Sequence, residues 1–112
     1  MTPLPPKPKP HYVQTDKSKI HFELYGTGGP TLMLIHGYMA NRLMFDPVIG
    51  ELAQHFRTVV VDNRGFGLSS HLEGPYSVEQ YADDAVGVLD DLGIRDAHVL
   101  GYSMGGLVAQ DL

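Results

Sequence analysis

The sequence predicts an α/β fold built on a mainly parallel sheet, and three observations predict it. Three apolar runs do not alternate: "TLMLIHG" (Thr31–Gly37), "TVVVD" (Thr58–Asp62) and "AHVLGYS" (Ala97–Ser103). Runs of this length are strands buried on both faces, as in the middle of a parallel sheet covered by helices. Helix-spaced segments separate them, and strands alternating with helices make a parallel α/β sheet.

Taken in order, the chain opens on "PLPPKPKP" (Pro3–Pro10), where proline withholds its N–H and fixes φ, so residues 1–12 are expected as a Pro-rich, polyproline-like tail. Residues 13–112 are expected as one domain fragment. Ile20, Phe22 and Leu24 alternate with His21, Glu23 and Tyr25, the period-2 pattern of a half-buried strand, and "GTGGP" (Gly26–Pro30) then forces a turn. After the first apolar run, Phe45, Val48, Ile49, Leu52 and Phe56 mark a helix over Phe45–His55. After the second, Ser77 and Gln80 make a capping box before a stripe of Val78, Tyr81, Ala85, Val88, Leu89 and Leu92, and Gly93 ends it. Asp83/Asp84 and Asp90/Asp91 are expected to form a solvated acidic face of that helix. The order is strand, strand, helix, strand, helix, strand and the start of a helix.

Among 112 residues, 43% are hydrophobic and 19% charged, which is ordinary for one globular domain. A net charge of −5, with only scattered lysines, argues against a nucleic-acid groove or an anionic membrane surface and suits small uncharged substrates. The absence of cysteine removes disulfides, thiolate zinc sites and a Cys nucleophile. No apolar run approaches the length of a membrane span and the opening prolines are no signal peptide, so the expectation is a cytoplasmic protein.

Chemistry concentrates in "HVLGYSMGGLVAQDL" (His98–Leu112), where Gly101-Tyr102-Ser103-Met104-Gly105 fits G-x-S-x-G at a strand-to-helix join. Such a turn holds the serine in a strained conformation with Oγ exposed, and the flanking positions Gly101, Gly105 and Gly106 keep the chain thin where it folds on itself. The following helix aims N–H groups at the site. At the end of the first apolar run, His36 reads as a packing residue, and Gly37 lets the Tyr38 N–H turn toward the sheet mouth. With the Met104 N–H it would make a two-donor oxyanion hole. Tyr38, Met39, Phe66, Tyr102 and Met104 are candidates to line an apolar acyl pocket. "DNRGFGLSS" (Asp62–Ser70) lacks the last glycine and the prompt helix of a dinucleotide-binding turn, and reads as a tight loop in which Asp62 and Arg64 pair or cap locally. No cofactor or metal is expected.

Together "LIHGYMANRLMFDPVI", "VVVDNRGFGLSS", "YSVEQYADDAVGVLDDLGI" and "HVLGYSMGGLVAQDL" resemble the α/β-hydrolase superfamily over about residues 19–112. The Ser-Met-Gly-Gly elbow looks most like its small esterase, lactonase, C–C-bond hydrolase and cofactor-free perhydrolase group. The resemblance implies the N-terminal half of an α/β-hydrolase fold, with strand 97–102 left as an edge. It also implies Ser103 as nucleophile, Tyr38 and Met104 as oxyanion donors, and an Asp or Glu followed by a His downstream of the serine. Here Ser103 is followed by one acidic residue, Asp111, and no histidine. A serine needs an adjacent base. The expected function is therefore hydrolysis of a small ester or lactone with acid and base from a complementary C-terminal hydrolase segment or a second copy. The alternative is a non-catalytic, truncated or self-associating scaffold.

Overall fold

The structure, a computed structural model, describes residues 8–15, 18–26, 28–71 and 76–112. Its five strands are β1 (His11–Thr15), β2 (Ser18–Tyr25), β3 (Thr31–Ile35), β4 (Arg57–Val61) and β5 (His98–Gly101). They form one sheet in the order β1-β2-β4-β3-β5. The β3–β4 and β3–β5 pairings are parallel, while β1–β2 and β2–β4 are antiparallel, so the sheet is mixed with a parallel part at the β5 side. β5 is the outer strand on that side, paired to β3 alone among the described residues, in line with the expected edge over 97–102. β1 begins inside the stretch expected as tail. His11 and Tyr12 are strand residues opposite Phe22 and His21, and the strand forms because β2 offers a partner that local composition does not reveal. Residues 1–7 of the Pro-rich stretch lie outside the described residues.

The apolar runs are continuous because alternate residues serve two cores. Met33, Ile35, Val59 and Val61 face α2 (Val78–Asp91) and α3 (Met104–Asp111), meeting Tyr81, Ala82, Ala85, Val88 and Val108. Leu32, Leu34 and Val60 face the other way, onto Phe45 and Ile49. Those last two belong to a short 3₁₀ turn (Arg42–Phe45) and to α1 (Asp46–Leu52), which replace the single helix expected over 45–55. Asn41 caps the turn and Pro47 opens the helix, so the chain changes direction there, and Val48, placed on the expected apolar stripe, is exposed. The Ser77–Gln80 capping box forms in both directions, at 2.8 and 3.1 Å, and α2 ends as expected before Gly93, with the Ile94 N–H closing on the Leu89 carbonyl.

Two polar expectations change. β2 is buried on both faces: His21, Glu23 and Tyr25 are covered because they meet partners rather than water. Arg42 reaches Glu23 at 3.1 Å and Asp62 at 2.8 Å, the Tyr25 hydroxyl donates to Glu23, and His21 Nδ1–H donates to Asp62 at 2.9 Å. Asp84 does not belong to a solvated acidic face. It sits on the inner face of α2, takes a two-pronged contact from Arg64 at 3.0 and 2.9 Å, and accepts from the Thr15 hydroxyl, while Asp83, Asp90 and Asp91 remain exposed. Arg64 is held by Asp84 of α2, and Asp62 caps locally, accepting from the Leu68 N–H at 3.1 Å. Among the described residues no helix is long and apolar enough to cross a membrane.

Burial would raise the Asp62 pKa, yet hydrogen bonds from His21, Arg42 and Leu68 and the Arg42 charge hold it below the ordinary carboxylate value. A carboxylate depressed in the folded state stabilises above its unfolded pKa and loses that contribution as pH falls through the folded one. Asp62→Asn is expected to lower unfolding free energy by about 3 kcal/mol at neutral pH, because buried Arg42 loses one of its two carboxylates. Urea unfolding at pH 7 and in acid checks this, and the difference from the unchanged chain should shrink as acid protonates Asp62.

Candidate active site

All three parallel strands end on one side of the sheet, and the segments that leave them meet there. β5 runs into Tyr102 and Ser103, and α3 starts at the next residue. Ser103 has φ 56° and ψ −115°; with Met39 (φ 62°), it is one of two non-glycine residues with positive φ among the described ones. Such a backbone costs about 1–3 kcal/mol and persists only where its surroundings impose it. Here the strand is tied by the Tyr102 N–H to the Ile35 carbonyl at 3.1 Å, and the helix by the Gly105 and Gly106 N–H groups to Tyr102 and Ser103 carbonyls at 2.9 and 2.8 Å. Ser103 is exposed at the tip.

The glycines around it differ in what they do. A Cβ on Gly101 would strike the backbone of Gly105, and one on Gly105 would strike the Ile35 and His36 carbonyls, so strand and helix approach as closely as peptide groups allow. Gly37 lies on the same contact, its would-be Cβ 3.1 Å from the Tyr102 carbonyl oxygen and 3.4 Å from Ser103 Cβ. Gly106, expected as part of the tight turn, is not needed for it: its nearest atom would be 3.6 Å away, because the helix has already turned from the strand.

The Gly37 contact brings the β3 exit to the serine. Neither the Tyr38 nor the Met104 N–H is hydrogen-bonded among the described residues; Tyr38 follows Gly37 on the β3 exit and Met104 is the first residue of α3. His36 stands behind them, fully buried as a packing residue. Its Nε2 accepts the Asn63 N–H at 2.9 Å, which leaves the ring proton on Nδ1, and Nδ1–H donates to the Gly37 carbonyl at 2.8 Å. Burial pushes its pKa below 6.5, and the Gly37 bond and Asp62 charge oppose this only in part. His36 is not placed as a base. His98, at the far end of β5, is exposed.

Around the mouth, Phe66 meets His36 and Tyr38 edge-on, at 5.7 and 5.9 Å between ring centres, while Tyr38, Met39 and Tyr102 are more than half exposed. A separate groove of about 910 Å³ runs along the β5 side between α2 and α3, lined by Val86, Leu89, Ile94, Val99, Ala109 and Leu112; Ser103 does not line it. Among the described residues no three His, Asp or Glu side chains cluster so as to hold a metal ion.

The family model described as alpha/beta hydrolase fold matches residues 30–111, spanning the β3 exit, the 62–70 loop and the elbow. This chain belongs to the α/β-hydrolase fold family. It is 38% identical over 77 residues to the 2-(acetamidomethylene)succinate hydrolase of Mesorhizobium japonicum, covering 69% of this chain and 28% of that protein. It is 38% identical over 94 residues to the pimeloyl-[acyl-carrier protein] methyl ester esterase of Aeromonas salmonicida, covering 83% and 35%. The crystal structure of the enol-lactonase from Burkholderia xenovorans LB400 superposes with a TM-score of 0.83 at 33% identity, over 88% of this chain and 39% of that one. The chain thus spans about a third of the length of these α/β-hydrolase relatives.

Arg42 and Asn63, which hold the loops behind the serine, were missed in the sequence, where neither stands in a motif with a chemical role of its own. Two outcomes follow from the glycine contacts and from His36. Gly105→Ala is expected to cost about 3 kcal/mol, since peptide carbonyls cannot step aside, whereas Gly106→Ala should stabilise by about 0.5–1 kcal/mol through its helix position. Thermal or urea melts of the pair read the contrast. Because a histidine with a lowered folded pKa stabilises only while neutral, ¹⁵N NMR should find the His36 ring neutral and Nδ1-protonated as pH falls past 6.5.

Proposed function

We propose that this chain is the nucleophile-bearing part of a serine hydrolase acting on a small carboxylic ester or lactone. The observation that carries the reading is the strained backbone of Ser103 at the strand–helix turn; the unbonded Tyr38 and Met104 amides, on the neighbouring β3 exit and at the start of α3, support it. Ser103 Oγ attacks the carbonyl carbon while a base takes its proton, and the carbonyl oxygen becomes an oxyanion facing the two N–H groups. Collapse expels the alcohol, or opens the lactone ring, and leaves an acyl-enzyme on Ser103 that water hydrolyses. Donors aimed at the developing charge usually supply the largest share of such catalysis. The exposed aromatic and methionine surface of Tyr38, Met39 and Tyr102, with Phe66 and Met104, suits an apolar acyl group. Relatives named as a methyl ester esterase and an enol-lactonase support this substrate class.

Among the described residues, no histidine or carboxylate is hydrogen-bonded to Ser103. In our reading the acid and the base come from a complementary hydrolase segment, which also covers the β5 edge, where Leu100 and Leu107 stand about half exposed. A fluorophosphonate probe tests this. Labelling should require Ser103, vanish in Ser103→Ala, and be strong only when the completing segment is present. Absence of labelling in both conditions would leave the elbow as an inherited turn in a non-catalytic scaffold.

A further inference from the structure

Asn63, 2% exposed, has no part in the proposed acyl transfer, yet two of its three bonds go to His36, the third being the Phe66 N–H on its carbonyl at 2.9 Å. Its N–H donates to His36 Nε2 at 2.9 Å and its side-chain Nδ2 donates to the His36 carbonyl at 3.2 Å. That carbonyl is one of the two against which Gly105 of the elbow is packed. The ring bond is the informative one. An imidazole whose Nε2 is occupied by a donor must carry its proton on Nδ1, and Nδ1–H here reaches the Gly37 carbonyl. The Ala40 N–H reaches the same oxygen at 3.3 Å.

The Gly37 carbonyl and the Tyr38 N–H belong to one peptide group. A trans peptide is planar with its C=O and N–H pointing in opposite directions, so a donor that fixes the carbonyl also fixes where the amide points. We infer that His36 and Asn63 are positioning residues for the oxyanion hole: the Asn63 amide orients the imidazole, and the imidazole sets the plane of the Gly37–Tyr38 peptide that aims the Tyr38 N–H beside Ser103. The inference rests on the reading of Ser103 as nucleophile and adds to it a reason for a buried histidine that never exchanges a proton with substrate. It also separates two donors: Met104 is aimed by the helix, Tyr38 by a side chain.

The test compares His36→Leu, which removes both ring contacts, with His36→Asn, whose side-chain NH₂ can occupy the place of Nδ1–H, and with Asn63→Ala, which leaves the Asn63 N–H in place. In the complete hydrolase, His36→Leu is expected to lower kcat for an ester by about ten- to a hundredfold with little change in KM, as for a displaced oxyanion donor. The matching thionoester, whose developing charge rests on sulfur and accepts hydrogen bonds weakly, should be affected far less, so the ester-to-thionoester rate ratio falls. His36→Asn should recover part of the loss, and Asn63→Ala, which keeps the N–H on the ring, should change the rate far less than His36→Leu. The Tyr38 amide resonance and its hydrogen-exchange rate should shift in His36→Leu and return toward the original in His36→Asn, a readout independent of turnover. An unchanged Tyr38 amide in a folded His36→Leu, or an unchanged rate ratio, overturns the inference; if His36→Leu does not fold, an unchanged Tyr38 amide in His36→Gln, which keeps an acceptor for the Asn63 N–H but no donor in the place of Nδ1–H, does so. Turnover that survives Ser103→Ala overturns the nucleophile assignment instead.

Discussion

The Asp62 carboxylate is the constraint on which the mouth of the sheet depends. It is fully buried and accepts from the His21 ring, the Arg42 N–H, the Arg42 guanidinium and the Leu68 N–H. A buried charge is tolerated only when its oxygens are filled. These donors come from β2, from the 3₁₀ turn and from the loop after β4, so satisfying one carboxylate fixes all three segments together. The backbone of the same residue is held as well, its N–H on the His21 carbonyl at 3.0 Å and its carbonyl under the Ser69 hydroxyl at 2.6 Å. Glu23 and Tyr25 extend the cluster through Arg42, which is why a strand with polar alternation is nonetheless buried on both sides.

The adjacent residue carries that order to the serine. Asn63 bonds to His36, His36 leads through Gly37 to Tyr38, and Gly37 lies against Tyr102 and Ser103. Ser103 is thus the far end of a series of contacts that starts at a carboxylate two strands away in the sheet order. The local strain of its positive φ is offset by close peptide contacts at Gly101 and Gly105, which leave the chain no other path from β5 into α3. Two glycines in the turn are steric necessities and the third is not, a distinction that the G-x-S-x-G-G string cannot express.

Much of this was legible in the residues. The three apolar runs, the capping box, the stop at Gly93 and the helix start at Met104 all follow from short-range rules, because hydrogen-bonding capacity and side-chain period are properties of neighbouring residues. The errors share a cause. β1, the two-sided burial of β2, the short α1 and the role of Asp84 each depend on a partner far along the chain. Asp84 even carried a signal, since it stands three residues after Tyr81 and four before Val88 and therefore on the buried stripe, but nothing local names Arg64 as its partner.

By itself the sequence determined the α/β alternation and the strand–serine–helix turn, since each depends on periodicity and on the special backbone freedom of glycine. Tertiary structure alone decided which carboxylates were buried, which glycines were indispensable, and that His36 faces a carbonyl rather than the serine. Those outcomes depend on atoms brought within about 3 Å from different segments, and the free energy of a buried charge or ring depends on the partner that arrives, not on the residues beside it in the chain.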